Sequence, residues 1–223
     1  AQRVAVAVAR MALGLPADWQ QRLQRALLSA PDHDADQWQQ GEQSPALLAA
    51  MRAAMPALPV AAAVLIPIVD RADGPTLLMT TRSGHLRRHA GQISFPGGRL
   101  ESQDADPVAA ALRETQEEVG IAAEFVKVLG FLPDHTVLSG FRITPVVAVV
   151  TPGFVLRSHA GEVAEIFEMP LSCIVAAESF RPTRRTLRGL EVTLRDVHFE
   201  GRVIWGATGA MLLALHQALA RSS

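Results

Sequence analysis

Three glutamates, Glu114, Glu117 and Glu118, stand at i, i+3 and i+4 in the run PVAAALRETQEEV, residues 107–119. Setting Glu114 at zero on a helix, Glu118 lies about 40° to one side and Glu117 about 60° to the other. Val108, Leu112, Thr115 and Val119 fall on the opposite side, and Arg113 flanks the acids. One face is therefore expected to pack while the other presents three carboxylates. Like charges at these spacings oppose helix formation by about 0.2–0.5 kcal/mol per pair. Drawn together at ~4 Å they would repel by about 4 kcal/mol at an effective dielectric near 20. A divalent cation removes that repulsion, and hard carboxylate oxygens suit Mg²⁺ or Mn²⁺. For the helix taken alone the alternative is a solvated acidic face, which is what most Glu-Glu pairs are.

The elements that must position these acids can be read on either side. Asp106 is suited to cap the helix N-terminus, Pro107 to be its first residue, and Gly120 to end it in the left-handed conformation. Before the acidic loop stands Pro96-Gly97-Gly98, a turn that permits close backbone approach. Upstream again, the run LMTTRSGHLRRHAGQIS, residues 78–94, places Arg82, Arg87, Arg88, His85 and His89 just before the turn. Arginine forks bind phosphate bidentately, a natural use beside a catalytic metal. The alternative is a basic surface loop that balances the acidic helix. His85 and His89 have zinc-pair spacing, but arginines lie between them and no third ligand is near.

At 223 residues the chain can hold one large domain, or one domain with an extension, and nearly half its residues are hydrophobic. The net charge of −1 argues against a duplex nucleic acid as partner. No segment is long and apolar enough to span a bilayer. The single cysteine, Cys173, excludes an internal disulfide and fits a reducing cytosol. Its apolar surroundings, MPLSCIVAA, suit a buried small hydrophobe rather than a nucleophile. The opening AQRVAVAVARMALGL is interrupted by Arg3 and Arg10 and reads as mature sequence, not as a leader.

Residues 1–57 read as a mostly helical extension, with one helix starting near Asp18 and a second around 45–55. Between them Asp32, His33, Asp34 and Asp36 read as a solvated loop rather than a metal cluster. From about residue 58 the pattern changes to strands. PVAAAVLIPIVD and TLLMTTRS, joined by Arg71-Ala72-Asp73-Gly74-Pro75, give a hairpin signal. AEFVKVLGFLP and FRITPVVAVVT read as further strands, and HAGEVAEIFEMPLSCIV runs from an acidic loop into an apolar segment. TLRGLEVTLRDVHFEGRVIW alternates as a terminal hairpin before a closing amphipathic helix, GATGAMLLALHQALARSS. Hairpins among isolated helices predict an α/β sandwich.

With these residues in view, Gly98 to Ile121 resembles the Nudix box: Gly, five residues, Glu, seven residues, then Arg-Glu-aliphatic-x-Glu-Glu-x-Gly-aliphatic. Arg113 to Ile121 agrees except that Thr115 replaces the aliphatic residue. Asp104 holds the place of the first Glu, and eight residues separate it from Arg113. The run from Leu78 to Gly98 is similar to the signature of the coenzyme A pyrophosphatase branch, Leu-Leu-Thr-x-Arg-Ser-x-x-Leu-Arg-x-His-x-Gly-Gln-Ile-Ser-x-Pro-Gly-Gly, with Met79 for the second leucine. Glu162-Val163-Ala164-Glu165 and Trp205-Gly206-Ala207-Thr208 resemble the same branch.

The resemblance covers residues 58–220 and implies a Nudix-like α/β/α sandwich with a mixed sheet between helices. It also implies a metal-dependent enzyme that cuts the pyrophosphate of coenzyme A into 3′,5′-ADP and 4′-phosphopantetheine. Glu114, Glu117 and Glu118 would hold Mg²⁺ or Mn²⁺, with Arg113 orienting a carboxylate. Arg82, Arg87 and His89, with the backbone of Gly97 and Gly98, would meet the substrate. A helix glutamate, Glu162 or Glu165 would serve as general base. The partner is then a small nucleotide-like molecule, in the cytosol, and a homodimer is compatible with this reading. Two alternatives stand beside it: another Nudix specificity (ADP-ribose, NADH or a nucleoside triphosphate), or a non-catalytic ligand sensor.

Overall fold

The structure, a computed structural model, describes residues 15–33, 45–55, 57–84, 91–187 and 189–221. Its axis is a parallel pair: β1 (Val60–Val69) runs beside β7 (Phe141–Val150) in register from Val60 opposite Phe141 to Val69 opposite Val150. Both strands are almost continuously apolar, as expected of strands covered on both faces. The remaining pairings are antiparallel. β2 (Thr76–Arg82) and β4 (Gly97–Arg99) lie on β1, and β5 (Val126–Phe131) and β6 (His135–Thr136) on β7. β3 (Ile93–Ser94) and β8 (Val163–Pro170) lie on β2. The sheet is therefore mixed, and the hairpin read around Gly74 is present as β1–β2.

Period-two alternation along β1 divides the core. Ala63 and Leu65 pack with Ala110, Ala111, Val146 and Ala148 beneath α3 (Pro107–Val119). Ile66 and Ile68 face the other way, against α1 (Trp19–Ala26) and α4 (Gly206–Arg221). Helices cover both faces, giving the α/β/α sandwich. A second sheet lies over the α4 side: β9 (Phe180–Leu187), β10 (Leu190–Phe199) and β11 (Arg202–Ile204), in the order β11-β10-β9. The terminal hairpin expected from the sequence is thus a three-stranded meander. The apolar segment after the acidic loop is the strand β8.

The described part of the N-terminal segment is built into this core. Trp19 and Leu23 of α1 are buried among core residues, and Leu28 bridges to Phe131. His33 is not a free loop residue: its Nδ1 lies 2.6 Å from Asp134 Oδ2, and Asp134 Oδ1 accepts from the Thr144 hydroxyl at 2.8 Å. Asp34 and Asp36 lie outside the described residues. Leu47 of α2 (Pro45–Ala53) and the following Met55 pack on Leu138 and Val192, tying the first sheet to the second. Among the described residues no helix is long and apolar enough to cross a membrane.

Candidate active site

α3 has the ends its sequence calls for. Asp106 Oδ1 accepts from Ala109 N at 2.8 Å, Pro107 opens the helix, and Gly120 closes it at φ 80°. Thr115 is fully buried and donates its hydroxyl to Ala111 O at 2.6 Å, so it packs in an apolar position without an unmet polar group.

The helix is rotated from the face expected of it. Ala110 and Ala111 are fully buried along with Thr115 and Val119, because two small side chains let α3 lie close on Ala63 and Leu65. That rotation takes Glu118 off the exposed face, leaving it only 3% accessible. Its carboxylate accepts from Gly97 N at 3.3 Å and has Arg82 Nη1 at 3.8 Å. Burial pushes its pKa up to about 7, against the lowering by the Gly97 N–H and Arg82. Burial raises Glu114 as well, which Arg113 partly offsets. Glu117 remains largely exposed, its side chain 59% accessible.

Asp104, one residue out of the expected spacing, has a defined place. Arg113 Nε and Nη2 donate to its two oxygens at 3.0 and 2.9 Å, and Glu101 N donates to it at 2.8 Å. Arg113 lowers the pKa of Asp104, and Asp104 in turn is the main cause of the raised pKa of Arg113. Arg113 Nη1 then reaches Glu114 Oε1 at 3.0 Å and Glu117 Oε2 at 3.4 Å. Arg113 thus carries two of the three acids from a bidentate anchor. Removing that anchor, Asp104→Ala, is expected to lower turnover about tenfold and to raise the metal concentration needed for half-maximal rate. Unchanged kinetics over a metal titration would show that the anchor has no part in the site.

Gly97 and Gly98 leave room where a side chain would intrude. A Cβ on Gly98 would lie 2.3 Å from Glu114 Oε1, and one on Gly97 would lie 2.3 Å from Ala63 O. The turn therefore forms a backbone wall directly against two of the carboxylates. Beside it opens a cavity of about 920 Å³ lined by Arg82, Gly97, Gly98, Glu114, Glu118 and Glu162. Apolar residues such as Val137, Leu138, Leu187, Leu194 and Leu213 line it too.

The structure separates the two later acids. Glu162 lines the cavity and adds to the raised pKa of both Glu114 and Glu118. Glu165 shares its strand face with Phe167, on the side away from α3. There it accepts from Arg202 Nη2 at 2.6 Å. Arg82 does reach the site; Arg87 and His89, with His85 and Arg88, lie outside the described residues. The ends of the basic run are nevertheless fixed at the cavity, since Arg82 N donates to Gln92 O at 2.9 Å and both residues line it. Sequence reasoning missed His135, which is buried in the cavity wall with its pKa lowered by burial to about 4.

The donor set fits a hard divalent ion. Three carboxylates on adjacent turns, one of them buried and held up in pKa, gain from a neighbouring cation. They are adjacent rather than converged: among the described residues no three acidic, histidine or cysteine side chains already meet at one point. Arg113 currently engages Glu114 and Glu117.

Residues 59–185 match the NUDIX domain family. A protein of Citrobacter koseri named Uncharacterized Nudix hydrolase NudL is 45% identical over 154 residues, which cover 69% of this chain and 80% of the relative. Its namesake in Salmonella paratyphi B is 44% identical over the same shares. Among solved structures, an Ap4A hydrolase binary complex of C. elegans is similar at 20% identity, with a TM-score of 0.44 over 50% of this chain and 80% of that one. A family match over more than half the chain, together with these sequence identities, shows that the chain belongs to the Nudix family.

Proposed function

We propose that coenzyme A and its derivatives are the nucleoside diphosphate derivatives that this Nudix hydrolase cleaves, in the cytosol, with Mg²⁺ or Mn²⁺. The observation that carries the reading is that Arg82 and Gln92, the two ends of the basic run, both line the cavity that Glu118 lines. Arg82 stands next to Glu118, and the run's further arginines would serve phosphates beyond the one attacked. Coenzyme A carries such a phosphate, at its 3′ position, and ADP-ribose and NADH do not.

Glu114, Glu117 and Glu118 would hold the metal, which when bound supplies Lewis-acid neutralisation of the phosphates and a lowered pKa for water. The chain's own residues do the rest. Arg113, anchored on Asp104, orients Glu114 and Glu117. Arg82 faces the same space as Glu118 and provides a fixed positive charge toward a phosphate oxygen. Water attacks one phosphorus, the bridging P–O bond breaks, and its electron pair leaves with the other phosphate. The proton of that water passes to a carboxylate. Glu162 suits this role better than Glu165, because it lines the cavity and Glu165 is held on the other face by Arg202.

Specificity constants test the substrate. Coenzyme A is expected to have the highest value, with dephospho-coenzyme A lower because the 3′-phosphate contact is gone. A higher value for ADP-ribose, NADH or a nucleoside triphosphate would overturn the coenzyme A reading and leave the Nudix chemistry in place.

A further inference from the structure

We propose that Trp205 is the platform on which the substrate's nucleobase stacks, pinned by Arg185, and is thus a specificity-determining residue of the cavity. The proposal rests on the reading that the cavity takes a nucleoside diphosphate derivative, and not on which one.

Trp205 links β11 to α4 and lines the cavity next to residues such as Ile93, Ser94 and Thr208. The Arg185 guanidinium carbon stands 4.4 Å from the centre of its ring. Arg185 is itself fixed, donating from Nη2 at 2.5 Å to Oδ2 of Asp196, a carboxylate only 1% accessible. Trp205 lines the cavity whereas Arg185 does not, so the stacked cation is not part of the cavity wall that the indole helps to form. The turn that carries the ring is secured too, because the Thr208 hydroxyl donates to Ile93 O at 2.9 Å across to the first sheet. An indole held this way loses little freedom when a ligand stacks on it, which is what makes a preorganised platform effective.

Two phenyl rings also line the cavity, and neither offers the same surface. Phe95 is 1% accessible and belongs to the core. Phe141 already has Arg99, itself a cavity residue, over its ring at 5.3 Å. The cavity lining includes polar residues such as Ser94 and Thr193 as well as Trp205, so a base, planar with polar edges, can find partners for both its face and its edge.

The test compares ADP with inorganic pyrophosphate, which has the diphosphate and no base. Equilibrium binding of each is measured calorimetrically, in Mg²⁺, for the wild-type protein, Trp205→Leu, Trp205→Phe and Arg185→Gln. Trp205→Leu keeps apolar bulk and is expected to weaken ADP about tenfold to a hundredfold while pyrophosphate binds as before. Trp205→Phe should restore ADP to within about threefold of wild type, and Arg185→Gln should fall between, again for ADP alone. Wild-type ADP affinity in Trp205→Leu, or equal losses for ADP and pyrophosphate, would overturn the proposal. Should Trp205→Leu fail to fold, Arg185→Gln decides on the same two ligands: a loss confined to ADP supports the platform, and any other result overturns it. ADP lacks the pantetheine arm and the 3′-phosphate, so neither outcome depends on coenzyme A being the substrate.

Discussion

Glu118→Gln is expected to lower turnover by about a hundredfold or more and, at the same time, to make the metal-free protein more stable at pH 8. The first effect follows from its proposed place as a metal ligand, and the second from the burial of its carboxylate. Its pKa is pushed from 4.5 to about 7 in the folded protein, so the folded state holds the proton more tightly than the unfolded chain. Stability is therefore lost as pH rises through the window from 4.5 to about 7, and above it the buried charge costs roughly 3 kcal/mol. A neutral glutamine removes the charge and its cost. In EDTA the variant should melt higher than wild type at pH 8, and the two should converge near pH 4. Wild-type turnover at saturating Mg²⁺ would contradict the metal role of Glu118. Equal melting temperatures at pH 8 would contradict the buried charge.

Gly97→Ala and Gly98→Ala should fail in different ways although they are neighbours. A Cβ at Gly97 would stand 2.3 Å from Ala63 O and 2.6 Å from Val64 Cα, and its φ of +156° disfavours a side chain. Both contacts are backbone, so β4 must part from β1. A destabilisation of about 3 kcal/mol or more is expected, a melting temperature lower by roughly 6–12 °C. At Gly98 the obstacle is the Glu114 carboxylate, the far end of a flexible side chain, with Oε1 at 2.3 Å and Cδ at 2.4 Å. Glu114 can swing away, so the melting temperature should hold while activity falls about tenfold or more. Thermal melts and single-substrate kinetics on the two variants separate the fold from the site. Normal activity in Gly98→Ala would mean that the position of Glu114 is not needed.

What could be read from the sequence was local. The ends of α3 were legible because Asp106, Pro107 and Gly120 act within one turn of themselves. The β1–β2 hairpin was legible because its turn residues and its apolar runs adjoin. The burial of Glu118 was not, since it follows from Ala110 and Ala111 meeting Ala63 and Leu65 on a strand remote in sequence. Alanine gives little periodic signal, and the reading placed the packing face too far from the acids. Asp104 fell one residue outside the expected spacing, and only the folded loop shows that Arg113 reaches it with both nitrogens. In the sequence β8 shows only as an apolar segment after an acidic loop; its Glu168 is buried and accepts from Arg71 at 2.5 and 3.1 Å. That Glu162 lines the cavity and Glu165 does not likewise needed the fold, since Glu162 precedes β8 and Glu165 lies within it.

On the proposed function, the acids of α3 together with Arg82 serve the cleavage of the pyrophosphate of coenzyme A. Incubation of the purified protein with coenzyme A and Mg²⁺ in ¹⁸O-labelled water, followed by mass spectrometry of the products, tests it most directly. The expected result is 3′,5′-ADP and 4′-phosphopantetheine in equal amounts, with ¹⁸O in only one of them and no reaction in EDTA. Intact coenzyme A after exhaustive incubation with Mg²⁺ or Mn²⁺, or cleavage at an amide or at the 3′-phosphate ester instead of the pyrophosphate, would contradict it.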